Sequence, residues 1–200
     1  MINEMMKVAA VILTKDEEAR IKDCLVHIRP WIDHILVLDS CSADNTVKIA
    51  EGYANRVVSK PFSGSFSEEK NYARTLIPKD CGWILWIDAD ERFDVGFLQG
   101  MKKAVRVAES ADIPGVCFRF PRVNLPDAKN FPDFQIRLFR NSRDIQWVGN
   151  VHEIPYLTTE HIPLDKVDDV SRKKRLGVIT VNAYPIIHLD RRKDLKRSWW

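Results

Sequence analysis

Three continuous apolar runs, each leading into acidic residues, constrain the fold of this chain more than any other feature. Lys7 to Leu13 (KVAAVIL) precedes Thr14 and Glu17, and Ile35 to Leu38 (ILVL) is closed by Asp39. Trp83 to Ile87 (WILWI) is closed by Asp88, Ala89, Asp90 and Glu91. Runs without polar alternation read as strands buried on both faces, the habit of a parallel sheet. Arg56 to Ser59 adds a short strand between the second and third runs.

Helical patterns fill the gaps. Ile21, Leu25 and Ile28 give the first helix one apolar face, and Pro30 stops it. Thr14 and Glu17 stand three apart, which predicts a capping box ahead of that helix. Ser42 is the predicted N-cap of a second helix carrying Val47, Ile49 and Ala50. Ser65 or Ser67 is the predicted start of a third, through Glu68, Lys70, Tyr72 and Leu76. Strand–helix alternation of this kind predicts an α/β domain with right-handed crossovers.

After a helix from about Val95 to Ala108 the pattern changes. Val116 to Phe120, Phe134 to Phe139 and Val178 to Ile187 follow without long helices between them. A mixed sheet is therefore expected, parallel in the N-terminal half with antiparallel additions in the C-terminal half. With 200 residues, 45% hydrophobic and 30% charged, one ordinary globular domain over 1–200 accommodates both halves, about 1–110 and 111–200.

In an open α/β sheet the ligand crevice lies beyond the carboxyl ends of the strands. That places Glu17, Asp39, Asp88 and Asp90 around one crevice. The chain has no G-x-G-x-x-G and no Walker-type loop, so a backbone cradle for phosphate is missing. Carboxylates repel phosphate directly but hold it through Mg²⁺ or Mn²⁺, which accept oxygens from both. Asp88-Ala89-Asp90 at a strand end is thus read as a metal–diphosphate site.

The motifs VILTKDEEARI, VLDSCSADNT and WILWIDADER, in that order, resemble the donor-site motifs of family-2 glycosyltransferases with the GT-A fold. QIRLFR, GNVHE and IIHLD resemble a bacterial branch that includes lipopolysaccharide-core β-glucosyltransferases. The likeness runs from Val8 to Asp190. It implies a Rossmann-like sheet and a nucleotide-sugar donor, UDP-glucose in the first place. It also implies a cell-surface glycan or lipid-linked acceptor. On this resemblance Thr14 and Glu17 line the nucleoside pocket, and Asp39 accepts a hydrogen bond from uracil. Lys70 approaches the base or the diphosphate. Asp88 touches the ribose and the metal shell, and Asp90 binds the Mn²⁺ or Mg²⁺ ion. His188 is either a further metal ligand or a structural strand-end histidine. Many relatives continue past this point with C-terminal helices, so the acceptor lid is expected to be missing, minimal or supplied by another subunit.

Inverting transfer also needs a carboxylate beside the attacking hydroxyl. Glu153 is the first choice and Asp133 the second. Arg137 and Arg140 alternate with core positions, and their guanidiniums suit a diphosphate or a phosphorylated acceptor. Trp147 is either a floor for an acceptor sugar or a core residue. His27 and His34 read as structural or exposed.

Two other classes stay open. A nucleotidyltransferase shares the sheet and the metal carboxylates, although TKDEEAR lacks the glycine-rich loop expected after its first strand. A non-catalytic nucleotide-sugar or nucleic-acid module rests only on the basic stretch from Arg172 to Arg197. A net charge of +3 is too small to imply nucleic acid, and no nucleic-acid partner is expected. The stretch RRKDLKRSWW, with Trp199 and Trp200, is equally a solvated tail or a peripheral contact with the inner face of an anionic membrane. No apolar run approaches the ~20 residues of a span, and no signal-peptide pattern opens the chain. Cys24, Cys41, Cys81 and Cys117 lack zinc or dithiol spacing, so free thiols on the cytoplasmic side are expected.

Overall fold

The computed structural model describes residues 6–110, 117–125, 133–150, 153–158, 162–163, 178–181, 184 and 186–189. Four parallel strands form its N-terminal half: β1 (Lys7–Thr14), β2 (His34–Asp39), β3 (Arg56–Ser59) and β4 (Cys81–Trp86), in the spatial order β3-β2-β1-β4. Helices α1 (Ile21–Ile28), α2 (Thr46–Glu51) and α3 (Phe66–Thr75) connect them. A two-residue strand β5 (Glu91–Arg92) and the helix α4 (Val95–Ser110) follow.

The sheet then changes direction, as the loss of helical spacing predicts. β7 (Asp133–Arg140) lies antiparallel against β4, and β6 (Cys117–Leu125) lies antiparallel against β7. β11 (Val178–Thr180) and β12 (Ile186–Leu189) run parallel to β6, and β12 pairs antiparallel with β5. The run from Val178 to Ile187 is thus two short strands. A second, three-stranded sheet was not anticipated: β8 (Ile145–Val148), β9 (Ile154–Leu157) and β10 (Ile162–Pro163), all antiparallel.

The apolar runs are explained by burial on both faces. Val8, Ala10 and Ile12 of β1 face a core that includes Ile21, Cys24, Leu25 and Ile28 of α1 and Met101 and Val105 of α4. Ala9 and Val11 face the opposite core, with Ala73 of α3, Trp86, Phe139 and Trp147. All described cysteines are free, and only Cys41 is exposed. Among the described residues no helix is long and apolar enough to cross a membrane.

Two of the three expected caps are wrong. Thr14 ends β1 and spends its hydroxyl on Asp39 at 3.0 Å, while α1 starts later, with Arg20 at its N-cap and no side-chain cap. Ser42 also bonds Asp39, and Asn45 is the N-cap of α2. Ser65 caps α3 as expected, accepting from the Glu68 amide.

Candidate active site

Thr14 and Asp39 end neighbouring strands in register, which brings the first two sequence candidates together. Asp39 is fully buried. Its carboxylate accepts from Thr14 Oγ1 at 3.0 Å, Ser42 N at 2.8 Å, Ser42 Oγ at 2.5 Å and, at longer range, Ser59 Oγ at 3.4 Å. A carboxylate has about four lone-pair sites. A pyrimidine N–H reaching Asp39 must therefore displace one of these donors, the long Ser59 contact being the weakest.

The loops beyond β1 and β2 are stitched to one another. Asp16 N donates to Ser42 Oγ at 2.8 Å, Glu17 N to Thr46 Oγ1 at 2.7 Å, and Glu18 N to Asp44 Oδ2 at 3.0 Å. In return Ala43 N donates to Asp16 Oδ1 at 2.7 Å and Asn45 N to Glu18 Oε2 at 3.0 Å. Asp16 and Cys41 hold the left-handed conformation, with φ of 52° and 56°. Non-glycine residues take that region uncommonly, and strain of this kind gathers at ligand sites. Glu17 is buried, with Arg20 at 3.3 Å from its carboxylate.

Asp88 lies beyond the end of β4 with its side chain about half exposed (51%). Arg137, one strand away on β7, donates to Asp88 Oδ2 at 2.9 Å and to Glu91 Oε1 at 2.5 Å. The other Glu91 oxygen accepts from the Asp88 amide at 3.1 Å, so the loop closes on itself. Glu91 is fully buried. Burial pushes its carboxyl above the ordinary value, against the pull of Arg137. For Arg137 burial acts downward, but the Glu91 and Asp88 carboxylates outweigh it and hold the guanidinium above its usual range. Arg137→Met leaves the Glu91 carboxylate buried without its cation. Breaking such a pair costs about 3–5 kcal/mol, and a urea titration followed by tryptophan emission reads the loss.

Asp90 follows two residues later, and its carbonyl accepts from Leu189 N at 2.8 Å. The backbone of His188 pairs with Glu91 across β12 and β5. His188 therefore flanks the Asp88–Asp90 loop, although its side chain lies outside the described residues. Cys24 Sγ packs 3.7 Å from the Asp88 carbonyl, and burial pushes its thiol up to about 12, so it is inert.

Among the described residues no three His, Cys, Asp or Glu side chains gather as a closed metal shell. Mg²⁺-type sites commonly use one or two carboxylates and complete the sphere with water and substrate phosphates. Half-exposed Asp88 and neighbouring Asp90 supply hard oxygen donors of that kind, so the residues fit.

Lys70 and Glu153 meet, although they were assigned to donor and acceptor separately. Lys70 Nζ lies 2.5 Å from Glu153 Oε1. The ammonium also sits 4.0 Å from the Trp147 ring centre and 5.4 Å from that of Trp86. Burial depresses the Lys70 pKa, against the opposing charge of Glu153; Arg137 lowers it further. Trp147 is buried against Trp86 and Phe139, with ring centres 5.9 Å away in each case, so it is a core residue rather than a sugar floor.

The remaining candidates are placed elsewhere. Arg140 pairs with Glu109 at 3.3 Å and lies over Trp83. His27 Nε2 is 2.8 Å from the Phe93 carbonyl, a structural contact. Asp133 opens β7 opposite Arg122, and its side chain lies outside the described residues. Residues 172–177 and 190–200, most of the basic stretch, lie outside them too. The sequence reading missed Glu91 as the anchor of this network. Its place in IDADER was the only signal.

A β3-β2-β1-β4 parallel sheet with carboxylates at its carboxyl ends and antiparallel strands beyond β4 defines a GT-A-type nucleotide-binding α/β fold. The chain belongs to Glycosyl transferase family 2, whose profile matches residues 9–156. It is 42% identical over 87 residues to an uncharacterized glycosyltransferase of Rickettsia felis, covering 44% of this chain and 30% of that one. Matches to this and similar curated relatives span less than a third of their length. A solved structure of glucosyl-3-phosphoglycerate synthase from Mycobacterium tuberculosis, in complex with Mn²⁺, UDP and glucosyl-3-phosphoglycerate, superposes with a TM-score of 0.57. The likeness covers 94% of this chain and 74% of that one at 15% identity. 4-Diphosphocytidyl-2C-methyl-D-erythritol synthase from Anaerococcus prevotii superposes at 0.54 with 12% identity, covering 90% of each chain.

Proposed function

We propose that this chain is an inverting glycosyltransferase domain that moves a sugar, glucose in the first place, from a UDP donor to a glycan or lipid-linked acceptor. The observation that carries this reading is the joining of the two halves by charge. Arg137 holds Asp88 at 2.9 Å and Lys70 holds Glu153 at 2.5 Å. Each cation lies near enough to feel the other pair's charges, which supports one site for the donor-side and acceptor-side carboxylates. Family membership and the UDP and Mn²⁺ of the mycobacterial structure support the choice of donor.

In this reading Thr14, Glu17 and Asp39 form the nucleoside end, with Asp39 accepting from uracil. Asp88 and Asp90 hold Mn²⁺ or Mg²⁺, with His188 as a further ligand. When bound, the ion neutralises the charge that builds on the departing diphosphate. Arg137 fixes one Asp88 oxygen, so the carboxylate meets the donor already oriented. Glu153 takes the proton from the acceptor hydroxyl as that oxygen bonds to the anomeric carbon and the bond to the diphosphate breaks. Attack from the face opposite the leaving group inverts the centre.

The likeness to the cytidylyl-transferring synthase keeps a nucleotidyltransferase as the second reading. The loop after β1 speaks against it. The amides of Asp16, Glu17 and Glu18 are spent on Ser42, Thr46 and Asp44, so they do not cradle a phosphate. Release of UDP from a panel of sugar nucleotides, with and without Mn²⁺, tests the proposal. UDP formation with Mn²⁺ supports it, whereas pyrophosphate release from a nucleoside triphosphate establishes the second reading.

A further inference from the structure

Lys70 was expected to approach the donor, yet the structure spends its ammonium elsewhere. It reaches Glu153 Oε1 at 2.5 Å, and indole rings cover it on further sides, Trp147 at 4.0 Å and Trp86 at 5.4 Å. The Lys70 side chain is only 7% exposed, against 16% for Glu153. The cation is thus the more deeply buried member of the pair.

The next residue braces the cage. Asn71 Nδ2 donates to the Trp147 carbonyl at 2.9 Å, and Trp147 N donates to Asn71 Oδ1 at 2.9 Å. This double contact locks α3 to β8, so Lys70 and the Trp147 ring keep one relative position. β8 pairs with β9, which begins directly after Glu153. Both ends of the ion pair are therefore fixed by backbone that does not belong to the donor site.

We propose that Lys70 is the positioning residue of Glu153, holding Oε1 so that Oε2 is presented to the acceptor hydroxyl. A base oriented by a third group is the usual arrangement of proton-transfer catalysis. A buried ammonium over two indole faces suits that task, because cation–π attraction strengthens as water is excluded. The inference rests on Glu153 being the base, and the experiment separates the two.

Turnover is read as UDP released from UDP-glucose with Mn²⁺, and donor affinity as the Kd of UDP by calorimetry, for the full chain. Lys70→Met should lower kcat by about 10- to 10²-fold, the lower part of the range for proton transfer. The UDP Kd should stay within about twofold, because a residue acting through the base does not touch the donor. In the Glu153→Gln background the same substitution should cost nothing further, since residues acting as a unit are not additive. That double variant also leaves no buried charge unpaired, so it reports even where Lys70→Met alone folds poorly. A weakened UDP Kd at unchanged kcat makes Lys70 a donor contact and overturns the inference. Full turnover by Lys70→Met while Glu153→Gln is impaired overturns it alone. Full turnover by Glu153→Gln removes the base assignment itself.

Discussion

Glu153→Gln is expected to lower turnover by roughly 10²–10⁴-fold, the usual worth of a positioned general base, while UDP affinity is unchanged. The carboxamide keeps the shape, and its oxygen still accepts from Lys70 Nζ, which stands 2.5 Å from Oε1. What is lost is the ability to take a proton. Because Glu153 pairs with Lys70 at 2.5 Å rather than with Asp88, whose carboxylate is held by Arg137, the substitution leaves the Asp88 contact in place. The loss should appear in kcat and kcat/KM equally, the mark of an interaction made only in the transition state. Measuring UDP release at saturating donor, beside a UDP titration by calorimetry, checks both halves. A dead Asp133→Asn protein beside an active Glu153→Gln protein assigns the proton to Asp133 instead.

The N-terminal half of this architecture was legible because β1, β2 and β4 are covered on both faces, which forces continuous apolar runs. Their ends are legible too, since the first polar or charged side chain marks where each apolar run gives way to the loop beyond the sheet, even where, as at Asp39, that side chain is buried. Partners chosen across long sequence distances were not legible. Thr14 and Ser42 carry the hydroxyls of helix caps, yet both bond Asp39, and the buried carboxylate outcompetes the local helix ends. Arg137 shows only strand alternation in the sequence. Its meeting with Glu91 depends on β7 lying antiparallel to β4 with Leu138 opposite Leu85. Lys70 looked like a donor contact because its neighbours on α3 said nothing of Trp147, 77 positions further on by number. The second sheet escaped notice because strands of two to four residues carry too few positions for a pattern.

Asp90→Ala is expected to be the most damaging single change. Loss of the ion's charge stabilisation is worth several kcal/mol, and each 1.36 kcal/mol is tenfold in rate, so turnover should fall on the order of 10³-fold or more. The fold should survive. The Asp90 carbonyl that accepts from Leu189 N is backbone and remains, and Asp88 stays tied to Arg137 and Glu91. The nucleoside end is likewise untouched, since Thr14, Ser42 and Asp39 hold one another without Asp90. UDP should therefore bind the variant equally well with and without Mn²⁺, whereas Mn²⁺ should tighten UDP on the unaltered protein. Calorimetric titrations of UDP in Mn²⁺ and in excess EDTA show this directly, without depending on turnover. Undiminished turnover of the unaltered chain in excess EDTA sinks the metal assignment. The diphosphate would then have to be neutralised by the protein's own cations.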